Sequence, residues 1–331
     1  MSPKVTVLIP VFNRERFVDE AIRSVVEQDF ADFEVVVVDD GSTDRTPEVL
    51  AAWAKRDPRV VVVTSPENQG IPGALNLGLA HARGKYVARL DSDDLMLSRR
   101  LAEQAAVLDA RPEVVLVSCA YAILDVAGNR LGTWKGDEPP EVTAFLLNFF
   151  NVVGGGGQVM FRLSEVLEEG GYARQYPSSE DYDLWVRLLR RGRIETLPFA
   201  GMTKRTHGSQ SLKRYGDVKR ANWTGIMRSA LGPYLRRALR DEEIAALITV
   251  WRHDGALGMA RIADEVMREA FARFRSEVPD RALQASARRR IAWQWYVGAR
   301  MFASAGHPLE AMKYLARAAR WLVTRRPSAT A

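Results

Sequence analysis

Five short apolar runs recur through the first 120 residues: Val5–Pro10, Glu34–Val38, Val60–Thr64, Tyr86–Leu90 and Val114–Ala120. Helical patterns fill the gaps between them. In Arg16–Gln28 the residues Phe17, Val18, Ala21, Ile22, Val25 and Val26 fall on one face, and Asn13 stands where a helix cap would be. Thr46-Pro47-Glu48 reads as a helix start, Pro72 opens a helix to about Ala82, and a further helix spans Ser98–Ala110. Strands that are apolar on both sides, rather than alternating, are buried on both faces. The order strand, helix, strand, helix therefore implies an α/β fold, a Rossmann-like and mostly parallel sheet with helices on both faces.

The pattern loosens after residue 121. Gly128-Asn129 reads as a hairpin turn, Pro139-Pro140 as the start of a short helix, Gln158–Arg162 as a strand behind the run Gly154–Gly157, and Glu180–Arg190 as a helix. Beyond Ser211 only amphipathic helices are expected, broken near Gly232-Pro233, Gly255, Pro279 and Gly306-His307-Pro308. The expected division is thus an α/β domain over 1–211 and an α-helical region over 212–331. Charge follows it. Residues 201–331 carry 25 Lys+Arg against 11 Asp+Glu, a balance of +14, whereas residues 1–200 carry 22 against 30, a balance of −8. The acidic part is where carboxylate chemistry belongs. The basic part suits a polyanionic partner such as a membrane surface or an anionic glycan, with nucleic acid not expected.

A single cysteine, Cys119, permits no internal disulfide, which fits a reducing, cytoplasmic setting. The first apolar run is too short for a signal sequence and is read as a strand. No uninterrupted apolar run reaches the roughly 18 residues of a membrane span.

Three acidic clusters carry the chemistry. Asp39-Asp40-Gly41-Ser42-Thr43-Asp44 follows the second strand, Asp91-Ser92-Asp93-Asp94 follows the fourth, and Glu180-Asp181-Tyr182-Asp183 opens a helix. Ligands bind at the carboxyl ends of strands in open α/β sheets. Each cluster alone has a plainer reading, as a turn, a chance pair of acids or a favourable helix start. Several acids at one strand end repel each other unless a cation neutralises them, and hard oxygen donors of this kind suit Mg²⁺ or Mn²⁺ bridging phosphates.

These clusters, with Pro10-Val11-Phe12-Asn13, Asn68-Gln69-Gly70, Ala82-Arg83-Gly84-Lys85-Tyr86 and Leu90, resemble the family 2 glycosyltransferases of the GT-A fold over residues 4–211. The resemblance implies an inverting enzyme that moves a sugar from a nucleotide-sugar donor, UDP- or dTDP-linked, to a hydroxyl of a glycan or lipid-linked acceptor in cell-surface polysaccharide or glycoconjugate synthesis. It places Pro10, Val11 and Phe12 beside the base, Asp39 on the pyrimidine ring nitrogen, Arg83 near the nucleotide, and Asp91 and Ser92 at the ribose side. Asp93 would hold the metal, Asp181 would be the catalytic base, and His207 lies where relatives often carry a lid and a further metal ligand.

Gly154–Gly157 reads as an acceptor wall or a flexible loop, and Trp185 as a sugar platform or, more simply, core. A nicotinamide enzyme is disfavoured by the first loop, which lacks glycine, and no phosphate-binding Gly-Lys-Ser/Thr loop occurs. A competing class is a non-catalytic GT-A domain acting as an assembly partner; the intact acidic clusters argue against it. In the tail, residues 309–323 wind Met312, Leu315, Ala319, Leu322 and Val323 onto one side and Lys313, Arg317 and Arg320 onto the other. Either the apolar side packs on neighbouring helices and the basic side is solvated, or the helix rests on anionic lipid at the inner face of the cell membrane.

Overall fold

The computed structural model describes residues 2–125, 127–206, 216–252 and 258–323. Its strands are β1 (Val5–Val11), β2 (Phe33–Asp39), β3 (Val60–Thr64), β4 (Tyr86–Arg89), β5 (Leu95–Met96), β6 (Val114–Asp125), β7 (Arg130–Trp134), β8 (Met160–Arg162) and β9 (Arg193–Thr206). They form one sheet in the order β3-β2-β1-β4-β8-β6-β9-β5, with β7 paired to β6. The helices between them are α1 (Val18–Val26), α2 (Thr46–Arg56), α3 (Gly70–His81), α4 (Arg100–Ala110), α5 (Pro140–Leu146), α6 (Leu163–Glu168) and α7 (Glu180–Leu188).

The first half of the sheet is as the sequence implies. β2 is buried at every position, and β1, β2, β3 and β4 pair in parallel. The second half is mixed. β8 runs antiparallel to both β4 and β6, β5 antiparallel to β9, and only β6 with β9 is parallel. The expectation of a mostly parallel sheet therefore holds for one half of it. The β6–β7 hairpin turns at Gly128, whose φ of +86° is open to glycine.

One local expectation is corrected and one refined. Asn13 does not cap α1, whose N-cap is Phe17; its side chain instead accepts the Thr43 N–H at 2.8 Å. A helix does start at Thr46, but its cap position is Arg45, and Asp44 accepts the Thr46 N–H at 2.9 Å.

The described residues form two compact units. The first comprises 1–140 and 151–222. The second comprises 141–150 and 223–331, so the division falls eleven residues beyond the expected 211 and takes in one earlier segment. The remaining helices are α8 (Gly216–Leu235), α9 (Asp241–Arg252), α10 (Ala260–Glu277), α11 (Arg281–Ser304) and α12 (Pro308–Leu322). The second unit's core is aromatic. Phe145 lies 4.8 Å from Phe274, Phe150 stacks on Trp251 at 4.4 Å, and Trp295 meets Tyr314 edge-on at 4.9 Å. These contacts explain why the 141–150 segment belongs here.

One side chain ties the first unit's sheet to its glycine run. Arg100, at the start of α4, is fully buried. Its guanidinium donates to the carbonyls of Gly157 at 2.7 Å, Arg89 at 2.8 Å and Val159 at 3.0 Å, and to Gln104 Oε1 at 3.0 Å. Gln104 in turn donates to the carbonyls of Gln158 and Val117. Removing the charge takes a donor from three buried carbonyls, of which Val159 keeps the Arg89 N–H at 3.0 Å. Arg100→Met is expected to destabilise the protein by about 3–5 kcal/mol, as for breaking a buried charged network, read as a lowered midpoint in thermal or urea unfolding; an unchanged midpoint would show the network to be dispensable.

Candidate functional site

The carboxyl ends of β1, β2 and β4 carry three loops that brace one another. Asn13 takes a positive φ of 51°, which brings its backbone N–H to Ser42 Oγ at 2.9 Å. The Arg14 N–H reaches Thr46 Oγ1 at 2.8 Å, and Glu15 accepts the Arg45 N–H at 3.0 Å. Asp39 accepts the Ser42 N–H at 3.0 Å and so shapes the tight turn after β2. Asp40 takes the N–H groups of Gln69 and Gly70, both at 2.9 Å, at the amino end of α3. That placement of a carboxylate on free helix donors is favourable.

These loops border a cavity of about 600 Å³, within the range of small-ligand sites. Pro10, Val11 and Phe12 line it from the first loop, Asp91, Ser92 and Asp93 from the end of β4, and Asp181 from the start of α7. Seven of the residues the sequence singles out are thus brought together. Asp39 lies one residue short, with Asp40 in the lining instead.

Arg83 is placed elsewhere. It precedes β4, which runs parallel to β1, so it sits at the sheet end opposite Asp91. There its Nε donates to buried Glu34 at 2.7 Å, and Glu34 also accepts from the Arg83 backbone and from Thr6. The structure accounts for Arg83 as the partner of a buried carboxylate. His207 lies outside the described residues. Trp185 is buried in the core, as its simpler reading has it, and Gly155 and Gly156 line the cavity.

Sequence reasoning missed the cations. Arg89, the last residue of β4, is buried, donates to Asp91 Oδ1 at 3.0 Å and lies 3.9 Å from Glu180 Oε1. Tyr172 lies beside it, with the guanidinium 5.9 Å from the ring centre. Lys204, on β9, also lines the cavity. Burial pulls its ammonium down, yet Asp91 and Asp94 hold its pKa above the ordinary value. Arg14 Nε stands 3.6 Å from Asp93 Oδ2. The signal for Arg89 is readable afterwards: an arginine inside the apolar run Tyr86-Val-Ala-Arg-Leu90, two residues before an aspartate, has to be buried and needs a partner.

The glycine run makes room for this arrangement. A Cβ on Gly156 would lie 1.7 Å from Arg89 Nη1, and one on Gly157 would press Asp91 Oδ2 at 3.2 Å. No side chain fits at Gly156 while Arg89 stays where it is.

The three acids of α7 have different fates. Asp183 pairs with Arg187 at 2.7 Å, and Arg187 also holds the carbonyls of Glu169 and Gly171. Glu180 is buried, and its Oε2 has no hydrogen-bond partner among the described residues. Burial and the neighbouring Asp181 charge push Glu180 up to about 7. Asp181 is half-buried; burial raises its pKa, opposed by Arg89 and by the Tyr182 N–H it accepts at 2.7 Å. Both acids line the cavity, and Asp181 is the less buried of the two.

Among the described residues no group of three His, Cys, Asp or Glu side chains converges as a ready-made metal cage. The donor chemistry nevertheless fits a hard divalent cation. Asp91 and Asp93 supply carboxylate oxygens at the cavity wall, and Mg²⁺ commonly takes one or two carboxylates with the rest from water and substrate phosphates. Asp94 is a poorer donor. Burial and the charges of Asp91 and Asp93 hold its pKa well above the ordinary range, and it is engaged with the Arg205 N–H at 3.0 Å.

Comparison with known proteins agrees with this geometry. The model for "Glycosyl transferase family 2" matches residues 6–171. An uncharacterized glycosyltransferase of Haemophilus influenzae is 26% identical over 247 residues, 71% of this chain and 75% of that one. EpsE of Bacillus subtilis, also named as a glycosyltransferase, is 32% identical over 195 residues, 58% of this chain and 68% of its own. Among solved structures, S. aureus TarS 1–349 in complex with UDP-GlcNAc superposes with a TM-score of 0.62 at 18% identity, covering 97% of this chain and 93% of that one. The mannosyltransferase PcManGT from Pyrobaculum calidifontis, in complex with GDP-Man and Mn²⁺, gives 0.56 at 22% identity, covering 97% and 87%. With half its length matched by the family model and the strand-end acids gathered round one cavity, the chain belongs to the family 2 glycosyltransferases of the GT-A fold.

Proposed function

We propose that this glycosyltransferase moves a sugar from a nucleoside-diphosphate donor to an acceptor hydroxyl with inversion at the anomeric carbon. The observation that carries the reading is the meeting, in one cavity, of the Asp91–Asp93 loop with Asp181, an ionisable base from a separate element. The first loop and the turn after β2 receive the base and ribose, with Asp39 offering a carboxylate to a ring N–H. Uridine and thymidine donors present such an N–H. The acceptor is a glycan or a lipid-linked glycan, and the setting is cytoplasmic synthesis of a cell-surface polysaccharide or glycoconjugate. TarS bound to UDP-GlcNAc and PcManGT bound to GDP-Man support a nucleotide-sugar donor.

Asp93, with Asp91, would hold Mn²⁺ or Mg²⁺, which when bound neutralises the departing diphosphate. PcManGT with Mn²⁺ supports that choice. Lys204 and Arg14 add positive charge at the same wall. Asp181 accepts the proton of the acceptor hydroxyl as the new bond forms, so its modest basicity is sufficient. Arg89 opposes, without cancelling, the rise that burial gives the Asp181 pKa. Glu180 sits beside Asp181, and burial with the Asp181 charge pushes the Glu180 pKa up to about 7.

Donor binding is expected to need a divalent cation, and Asp93→Asn to weaken it. Titration calorimetry with a nucleoside diphosphate should show binding with Mn²⁺ that disappears with EDTA; equal affinity in both would remove the metal from the scheme. Asp39→Ala should cost on the order of 1–3 kcal/mol of donor affinity, as for a charged hydrogen bond. A thermal-shift screen of nucleotide sugars that singles out a guanosine donor would contradict the assignment of Asp39.

Asp181→Asn is expected to cut transfer by about 100-fold or more with donor affinity little changed. Ionisation of Glu180 adds a negative charge beside Asp181 and raises its proton affinity. Transfer by the wild type should therefore rise as pH increases through about 7. Glu180→Gln should lose that step and stay active. Near-normal turnover in Asp181→Asn, or loss of transfer in Glu180→Gln with nucleotide binding intact, would reassign the base.

A further inference from the structure

The helix α12 shows an apolar face, open in the sequence to either packing or lipid contact, that the unit's own core does not use. Its buried side is Ala311, Tyr314, Ala318 and Trp321. Tyr314 packs on Trp295 and Phe302 at 4.9 Å each, and Trp321 donates to Asp264 at 2.9 Å. At 100° per residue, the next arc of the helix carries Leu322, Leu315, Ala319 and Met312. These point away from the unit's own core: Met312 is 66% exposed, Leu322 58% and Leu315 45%, and Val323 just beyond is 62% exposed. Following that arc are Leu309, 74% exposed, and then Arg320, Lys313 and Arg317.

Three adjoining sectors therefore run round one helix: packed aromatics, a bare aliphatic face, and a basic flank. Residues 281–331 hold ten Lys and Arg against one acid, Glu310. A second copy of this surface would bring like charges together. A soluble polyanion would answer the charge and leave the aliphatic face in water. A surface that is anionic outside and apolar just beneath answers both. No described helix is long and apolar enough to cross a membrane, so the contact is one that lies along the interface.

We infer that α12 docks in the plane of a lipid leaflet rich in anionic headgroups, with Met312, Leu315 and Leu322 inserted among the acyl chains and Lys313 and Arg320 on the phosphates. The interaction is independent of the transfer reaction and of any acceptor.

The test uses the full chain and sedimentable vesicles of phosphatidylglycerol mixed with phosphatidylcholine, against phosphatidylcholine alone. The wild type is expected to pellet with the anionic vesicles, less so at high salt, and to remain in solution with the neutral ones. Met312→Glu/Leu315→Glu/Leu322→Glu alters exposed positions only, so it should fold, keep its thermal midpoint and lose at least about 10-fold in vesicle affinity. Lys313→Gln/Arg320→Gln should lose about 5-fold per charge. The inference is overturned if the wild type ignores anionic vesicles at low salt, if it binds neutral ones equally, or if the triple glutamate variant binds as the wild type does. Sedimentation velocity showing a lipid-free dimer that the triple variant dissociates would assign the face to a second copy instead. Donor hydrolysis should match the wild type in both variants, which separates this result from any failure of the transfer scheme.

Discussion

Burying a guanidinium costs several kcal/mol unless acceptors surround it, and the active half of this fold is arranged round two of them. Arg100 spends its donors on the carbonyls of Arg89, Val159 and Gly157. That fixes the end of β4 and the turn before β8 at one separation. Arg89 is thereby held with its guanidinium toward Asp91 and Glu180. The space it needs exists because residue 156 has no side chain. Strand end, glycine turn and α7 are thus positioned by two charges that never reach bulk water. Burial lowers the Arg100 pKa while the carboxylates raise that of Arg89, so the first is a structural fastener and the second is the counter-ion of the site.

This division of labour bears on how the cavity tolerates its own acids. Carboxylates clustered in a poorly solvated site would normally take up protons. Arg89, Lys204 and Arg14 each face a member of the cluster. The Asp91 carboxyl stays low despite burial because Arg89 and Lys204 oppose the desolvation. Asp94 and Glu180, less well opposed, go up instead. The site therefore stores both charge states of the same functional group within a few residues. The proposed diphosphate would meet a wall that already has side-chain cations on it.

What the sequence made legible follows from how local each signal is. Strands β1 to β4 were readable because most of their positions are apolar, and the first two acidic clusters because they stop such runs abruptly. β9 was not seen. Its fourteen residues mix charged, exposed and buried positions around Pro198, so no period emerges, and it brings Lys204 to the site. Arg83 was misplaced for a related reason: a motif beside a strand does not tell which end of the sheet it reaches, and here Glu34 claims it. Arg89 was overlooked because an arginine within an apolar run looks like an interruption until its partners are known. On α12 the aliphatic residues were open to two readings, a packing face or a lipid-facing one, and packing is not the use the fold makes of them. The larger buried rings of Tyr314 and Trp321 took that role, since aromatic side chains bury more area per residue.

The second unit is more than an appendage to the family-matched region. The match extends over 6–171, yet residues 141–150 inside it belong to the helical unit. Phe145 touches Tyr234, Phe271 and Phe274, and Phe149 and Phe150 meet Trp251. A chain cut after residue 222 would keep those three phenylalanines and lose every one of these partners. Each large side chain left in water forfeits roughly 1.5–3 kcal/mol, and three adjacent rings would form a sticky patch. The three rings are therefore part of the helical unit's own aromatic core, although they lie within the family-matched residues. Its sequence is constrained on the inside by those rings, while the outer arc of α12 is free to serve a different purpose.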